Sequence, residues 1–157
     1  MAFAKGTKVD IEKTEQQIKT MLRKAGAKAY ATYETGDSAS IAFHLHDLNI
    51  RMNLTMPSRD AERFTMRRAN QSSVMVEQSA AAAEKLWEQA CKERWRALHL
   101  CVKAKLEAID AGVETIEDAF LAHVQTSDGE TIGARLKPQL RDIIAGNAPL
   151  QITGPRP

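Results

Sequence analysis

Ser79–Asp110 reads SAAAAEKLWEQACKERWRALHLCVKAKLEAID, and the spacing of its apolar residues decides the fold. At 3.6 residues per turn, Trp87, Cys91, Trp95, Leu98, Val102, Leu106 and Ile109 fall in one stripe, while Lys85, Lys92, Arg96, His99, Lys103, Glu107 and Asp110 gather on the opposite side. One unbroken helix is predicted, and its stripe makes it the spine of the core. The apolar arc continues through Leu86, Ala90, Ala97, Leu100, Cys101, Ala104 and Ala108, too wide for one partner to cover. The C-terminal helices or a second copy, in a homodimer, are expected to cover the rest. Arg94 and Lys105 lie near the centre of the widest apolar face, where a cation needs an anionic partner. Either they are structural, snorkelling or pairing with Glu117, Asp118 or another carboxylate, or they mark a basic pocket for phosphate or an acidic partner.

Upstream of this helix, residues 1–8 read as a loose arm, and Asp10 caps a first helix that runs to Ala25 and stops at Gly26. From Lys28 to Met56 the period changes to two, which predicts three antiparallel strands. Ile41, Phe43 and Leu45 alternate with Ala42, His44 and His46; Ile50, Met52, Leu54 and Met56 alternate with Arg51, Asn53 and Thr55. Thr35–Asp37 and Asp47–Asn49 supply turns, and Pro57 ends the third strand. Residues 58–78 show little periodicity and read as a mobile basic loop holding Arg59, Arg63, Arg67 and Arg68, with a short edge strand near Phe64 and Met66. After Gly112, Thr115 starts a short helix with a capping-box variant to Asp118. A last helix spans Ile132–Ala145 with a kink or late start at Pro138. The expectation is an α+β fold in one domain, residues 1–146, with the long helix on the sheet, two short C-terminal helices and an extended tail over 147–157.

Composition narrows the function. The chain has 157 residues, enough for a self-sufficient core, and no apolar run approaches the roughly 20 residues of a membrane span. No secretory or lipidation signal is read at the start, so the cytoplasm is the expected compartment. Cys91 and Cys101 lie about 15 Å apart on one helix, beyond the roughly 7 Å a disulfide bridges, and both read as buried hydrophobes. A net charge of +2 is too small to argue for nucleic acid, but the clustered arginines are not. His44 and His46 at i, i+2 can hold a metal only with further ligands, none of which the sequence supplies, so no metal is expected and the two read as solvated imidazoles. His99 and His123 read as surface or boundary residues. No phosphate loop, nucleophile elbow or paired-carboxylate motif occurs, so neither catalysis nor a cofactor is expected. The outer sheet face, read as Tyr30, Thr32, His44, His46, Arg51, Asn53 and Thr55, mixes rings, hydrogen-bonding groups and charge. It suits stacking and holding of a single strand, with the arginine loop drawing phosphates; an ordinary solvated face with salt-bridged arginines accounts for it too.

The segment Ala83–Ile116, with its W-E-Q-A-C, R-W-R-A-L and K-A-K-L-E-A blocks between Trp87 and Ala108, resembles small, largely uncharacterised proteins of tailed bacteriophages and prophages. The likeness extends to the Met-Ala-Phe-Ala start and to Phe120–His123 with the Asp128-Gly129 turn. It implies membership of that family and, by association, a place in phage replication or recombination, with no catalytic residues to carry over. Together these readings predict a non-enzymatic accessory protein that binds single-stranded DNA. Tyr30, His44, His46, Arg51, Arg63, Arg67, Arg68, Arg94 and Lys105 are the candidate contacts. The alternative is an inhibitor of a host defence or repair enzyme, acting through the 58–78 loop and the exposed part of the long helix.

Overall fold

The computed structural model describes residues 3–70 and 73–150. Its spine is the helix α3 (Ala80–Asp110), 31 residues without a break. Ser79 opens it by accepting a hydrogen bond from the Ala82 amide at 3.3 Å. Gly112 closes it in the left-handed region (φ 68°), with the Val113 amide reaching back to the Ala108 carbonyl. Cys91, Trp95, Leu98 and Val102 form the buried stripe, as the heptad-like spacing requires. Trp95 is fully buried; at 150–250 Å² for such a ring, its transfer from water contributes roughly 4–6 kcal/mol.

Helix α1 (Ile11–Lys24) lies alongside and parallel to α3: Asp10 pairs with Lys92 at 2.7 Å, and one turn further Arg96 donates to Gln17 Oε1. That ion pair, and the hydrogen bond within it, holds the Asp10 carboxyl below the usual carboxylate range. Asp10 therefore joins two helices and makes no side-chain cap, unlike the sequence expectation. The residues before it are equally tied: Ala4 is buried, the Gly6 amide donates to Glu93 Oε1 at 2.7 Å, and Gln89 Nε2 donates to the Thr7 carbonyl. The expected loose arm is, from residue 3 on, a strap along α3.

Strands β1 (Ala29–Thr35), β2 (Ser38–Leu45) and β3 (Leu48–Thr55) form an antiparallel sheet in chain order. Ala39, Ile41, Phe43 and Leu45 of β2 and Ile50 and Met52 of β3 point onto the helices and meet Ile18, Leu22 and the α3 stripe in one core. The second turn is tighter than the alternation suggests. It consists of His46 and Asp47 alone, Leu45 pairs with Leu48, and His46 takes a left-handed φ of 51°.

Residues 58–78 carry more structure than their sequence implies. A single helical turn α2 (Glu62–Thr65) leads into a ribbon of β4 (Met66–Arg68) and β5 (Met75–Glu77), separate from the main sheet. Its base is pinned: Trp87 Nε1 donates to the Pro57 carbonyl at 2.7 Å, and Arg59 stacks 3.7 Å over the Trp87 ring while pairing with Glu84.

After α3, helix α4 (Ile116–Phe120) is capped by Thr115, whose hydroxyl accepts from the Asp118 amide at 3.1 Å. It drops Phe120 into the core, edge-on to Phe43 with ring centroids 5.6 Å apart. The chain then turns around the β3 edge. Val124 bridges to Ile50, and the Gln125 amide donates to the Asn49 carbonyl. The last helix is broken at Pro138, giving α5 (Ile132–Leu136), a 3₁₀ turn and α6 (Leu140–Ile144). Residues 147–150 form no helix or strand, and the rest of the expected tail, 151–157, lies outside the described residues. Among the described residues no helix is long and apolar enough to cross a membrane.

Candidate functional site

Register decides which side chains the sheet presents, because residues directly opposite on antiparallel strands share a face. Tyr30 pairs with Phe43 and Thr32 with Ile41, so both point inward with the core. This corrects the placing of Tyr30 on the outer face. It is half-buried against α1, its hydroxyl accepts from Thr32 Oγ1 at 3.2 Å, and burial pushes the phenol pKa up. The outer face consists instead of Ala29, Ala31, Tyr33 and Thr35 from β1, Ser38, Ser40, Ala42 and His44 from β2, and Asn49, Arg51, Asn53 and, as expected, Thr55 from β3. No carboxylate is among them. His46 is lost from this face too, since it sits in the turn. The two histidines therefore do not share a face, and among the described residues no His, Cys, Asp and Glu side chains cluster as metal ligands.

Two recesses adjoin on this face. Ala29, Ala31 and Ala42 floor a shallow depression of about 180 Å³, walled by His44, Asn49 and Gln125. His44 Nδ1 lies 2.9 Å from Asn49 Oδ1, and Gln125 Nε2 is anchored on the Gly129 carbonyl, so the wall is a fixed row of polar groups. Tyr33, two residues along from Ala31 and 61% exposed, offers a ring beside that floor.

Across the sheet from Ala42 stands Arg51, which opens the second recess, about 140 Å³. Arg51 and Asn53 of β3 form one wall, Ala122 and His123 another, and Thr131, Gly133, Ala134 and Lys137 a third. Arg51 Nε is buried without a hydrogen-bond partner among the described residues. Neither Arg51 nor Lys137 has an ion-pair partner among them. The nearby carboxylates are committed elsewhere: Asp128 and Glu130 both pair with Arg135. His123 is held neutral at ordinary pH, because burial and the charges of Lys105 and Lys137 push its pKa down. The wall is tight at Gly133, where a Cβ would stand 2.6 Å from the Ala122 carbonyl oxygen, so only glycine lets α5 approach this closely.

The other expected contacts lie apart. Arg63 and Arg94 come together with Lys5 around a recess of about 220 Å³ on the flank of α3, and Arg94 is exposed, not immersed in the core. Arg67 and Arg68 project from β4 into solvent. Lys105 faces inward: its ammonium donates to the Ala119 carbonyl and lies 5.4 Å from the Phe120 ring centroid. Cys101 is exposed and Cys91 buried, which corrects the reading of both as buried. His99, expected on the polar side, is only 7% exposed because α1 covers it. It lines a groove of about 440 Å³ with Met21, Lys24, Lys103 and Leu106.

Sequence reasoning found His44 and Arg51 but missed Asn49, Gln125, His123 and Lys137. No spacing links β3 to residues 122–137; the two meet through the Ile50–Val124 bridge and the bond from the Gln125 amide to the Asn49 carbonyl. No family model matches the chain, and no match is found among curated proteins or solved structures.

Proposed function

We propose that the protein binds single-stranded nucleic acid on the outer face of its sheet, as a non-enzymatic accessory factor. In keeping with the phage resemblance, the ligand is DNA handled during replication or recombination. The observation that carries this reading is the direct pairing of Ala42 with Arg51, which sets a flat apolar floor beside an uncompensated cationic recess. A base has a π-face that lies on small side chains or stacks on Tyr33, and its edge meets the polar row of His44, Asn49 and Gln125. The phosphate one bond system away needs cations without internal partners; Arg51 and Lys137 fill that role, and the neutral His123 beside them offers a hydrogen-bond donor. The absence of acidic groups from this face removes the repulsion that most protein surfaces present to a polyanion.

A salt titration of a labelled single-stranded oligonucleotide tests the proposal. Binding should weaken as salt rises, with each lost phosphate contact lowering the logarithmic slope by about 0.7. The Arg51→Ala/Lys137→Ala double variant should bind weakly, while Arg63→Ala/Arg67→Ala/Arg68→Ala should retain most of the affinity. No binding at low salt, or an unchanged double variant, overturns it.

One observation favours a second reading, that of an inhibitor of a host defence or repair enzyme. Helix α3 exposes Leu86, Ala97, Cys101 and Ala104 along a side that no element covers among the described residues. A protein acting in that way ignores oligonucleotides at every salt concentration.

A further inference from the structure

We propose that the Arg51–His123–Lys137 recess is a seat for a phosphomonoester, the terminal phosphate of a nucleic-acid strand, and not for the diester linkages within one. This rests on the nucleic-acid reading above and specifies its ligand. Three features lead to it. The recess is walled on three sides, by β3, by residues 122–123 and by residues 131–137. A continuous backbone must enter and leave its binding groove, whereas a chain end needs only one opening. The volume, about 140 Å³, suits a single tetrahedral anion and falls below the roughly 300 Å³ at which pockets enclose a whole small-molecule ligand.

Charge makes the distinction sharper. A diester carries one negative charge, while a terminal phosphate, with a second pKa near 6, carries between about 1.5 and 2 at neutral pH. The recess offers two permanent cations and an imidazole, with no carboxylate among its lining residues. Arg51 is the group that most requires an anion: its Nε is withdrawn from water and donates to nothing among the described residues. His123, neutral until an anion arrives, donates one N–H and gains a second with the proton that a dianion draws onto it. Thr131 and Gly133 fix the third wall: the Thr131 hydroxyl caps α5 by accepting from the Ala134 amide at 3.2 Å, and Gly133 seats that turn on Ala122.

The test compares one labelled single-stranded oligonucleotide in three forms, with a 5′-phosphate, with a 3′-phosphate and with hydroxyl at both ends. A phosphorylated end should bind about tenfold more tightly than the unphosphorylated strand, the gain of one additional charge-assisted contact. Arg51→Ala and Lys137→Ala should abolish that preference while leaving the circular dichroism spectrum and melting profile close to wild type. Equal binding of all three forms overturns the inference and leaves the broader nucleic-acid reading standing. If no form binds, calorimetric titration with a nucleoside 5′-monophosphate and with inorganic phosphate decides. Heat that Arg51→Ala removes upholds the phosphomonoester seat, with the free nucleotide or phosphate as its source, and no heat overturns it.

Discussion

His99→Leu should stabilise the protein, and should do so increasingly as the pH falls. The imidazole is 7% exposed between α1 and α3, and its Nδ1 is buried with no partner among the described residues. An unsatisfied buried polar group costs about 1–3 kcal/mol, and leucine fills a similar volume without that cost. A gain of about 1 kcal/mol at pH 7.5 follows, or 2–4 °C in melting temperature for a chain of this size. Burial first, then the charges of Arg96 and Lys103 on the same helix, hold the pKa of His99 below its ordinary 6.5. Lys24 on α1 faces the same groove, and the carboxylates Glu107 and Asp110 stand at its far end. A histidine with a depressed native pKa leaves stability intact above the unfolded value near 6.5. That stability drains away as the pH falls from there to the native pKa, because only the unfolded chain takes the proton. Between pH 7.5 and 5.5 the advantage of the variant should therefore widen, by at most about 1.4 kcal/mol. Thermal melts followed by circular dichroism at the two pH values measure both quantities. His123 adds its own acid sensitivity to wild type and variant alike, so the difference between them reports His99 alone. A lower melting temperature for His99→Leu at pH 7.5, or a gap that does not change with pH, would refute the reasoning.

Three other outcomes are expected. Lys105→Met should lower stability by about 1 kcal/mol in urea unfolding, through loss of the bond to the Ala119 carbonyl. Gly133→Ala should cost about 1–3 kcal/mol and weaken binding of the phosphorylated strand, since the added methyl must push α5 away from Ala122; unaltered stability and affinity would mean that this wall is not closely packed. Iodoacetamide should alkylate Cys101 well before Cys91, which burial shields and whose thiol pKa it raises, as peptide mass spectrometry over a time course will reveal.

The elements most legible in the sequence are those with local signals. Ser79 and Gly112 bracket α3 because a hydroxyl cap and a left-handed glycine act within one turn of the chain. The alternation of Ile41, Phe43 and Leu45 assigns β2 to one buried face for the same reason. β1 offers no such contrast: Ala29 and Ala31 on one parity and Tyr30 and Thr32 on the other are equally plausible core residues. Only pairing with Phe43 and Ile41 decides between them. His46 reads as a strand residue until the two-residue turn forces it into the left-handed region. His99 lies at the margin of the polar arc of α3, and its burial depends on where α1 lands, a tertiary fact with no local trace. Half of the candidate site was readable in Arg51 and His44. The other half, Asn49 apart, comes from a segment more than seventy positions later that folds back over the β3 edge.

The grip of Trp87 on Pro57, reinforced by Arg59 and Glu84, shortens the path between the sheet and the spine to a near-closed ring. Beyond that knot α2 still packs on α3 and buries Phe64, but β4 and β5 pair with each other apart from the main sheet, and lengthening their connection carries only the slowly growing, logarithmic entropy of a bigger loop. The tip of the β4–β5 ribbon is thus a natural place for a graft. A fluorophore site, an epitope or a whole small domain inserted there would ride on the molecule without disturbing either the hydrophobic interior or the far surface that carries Arg51.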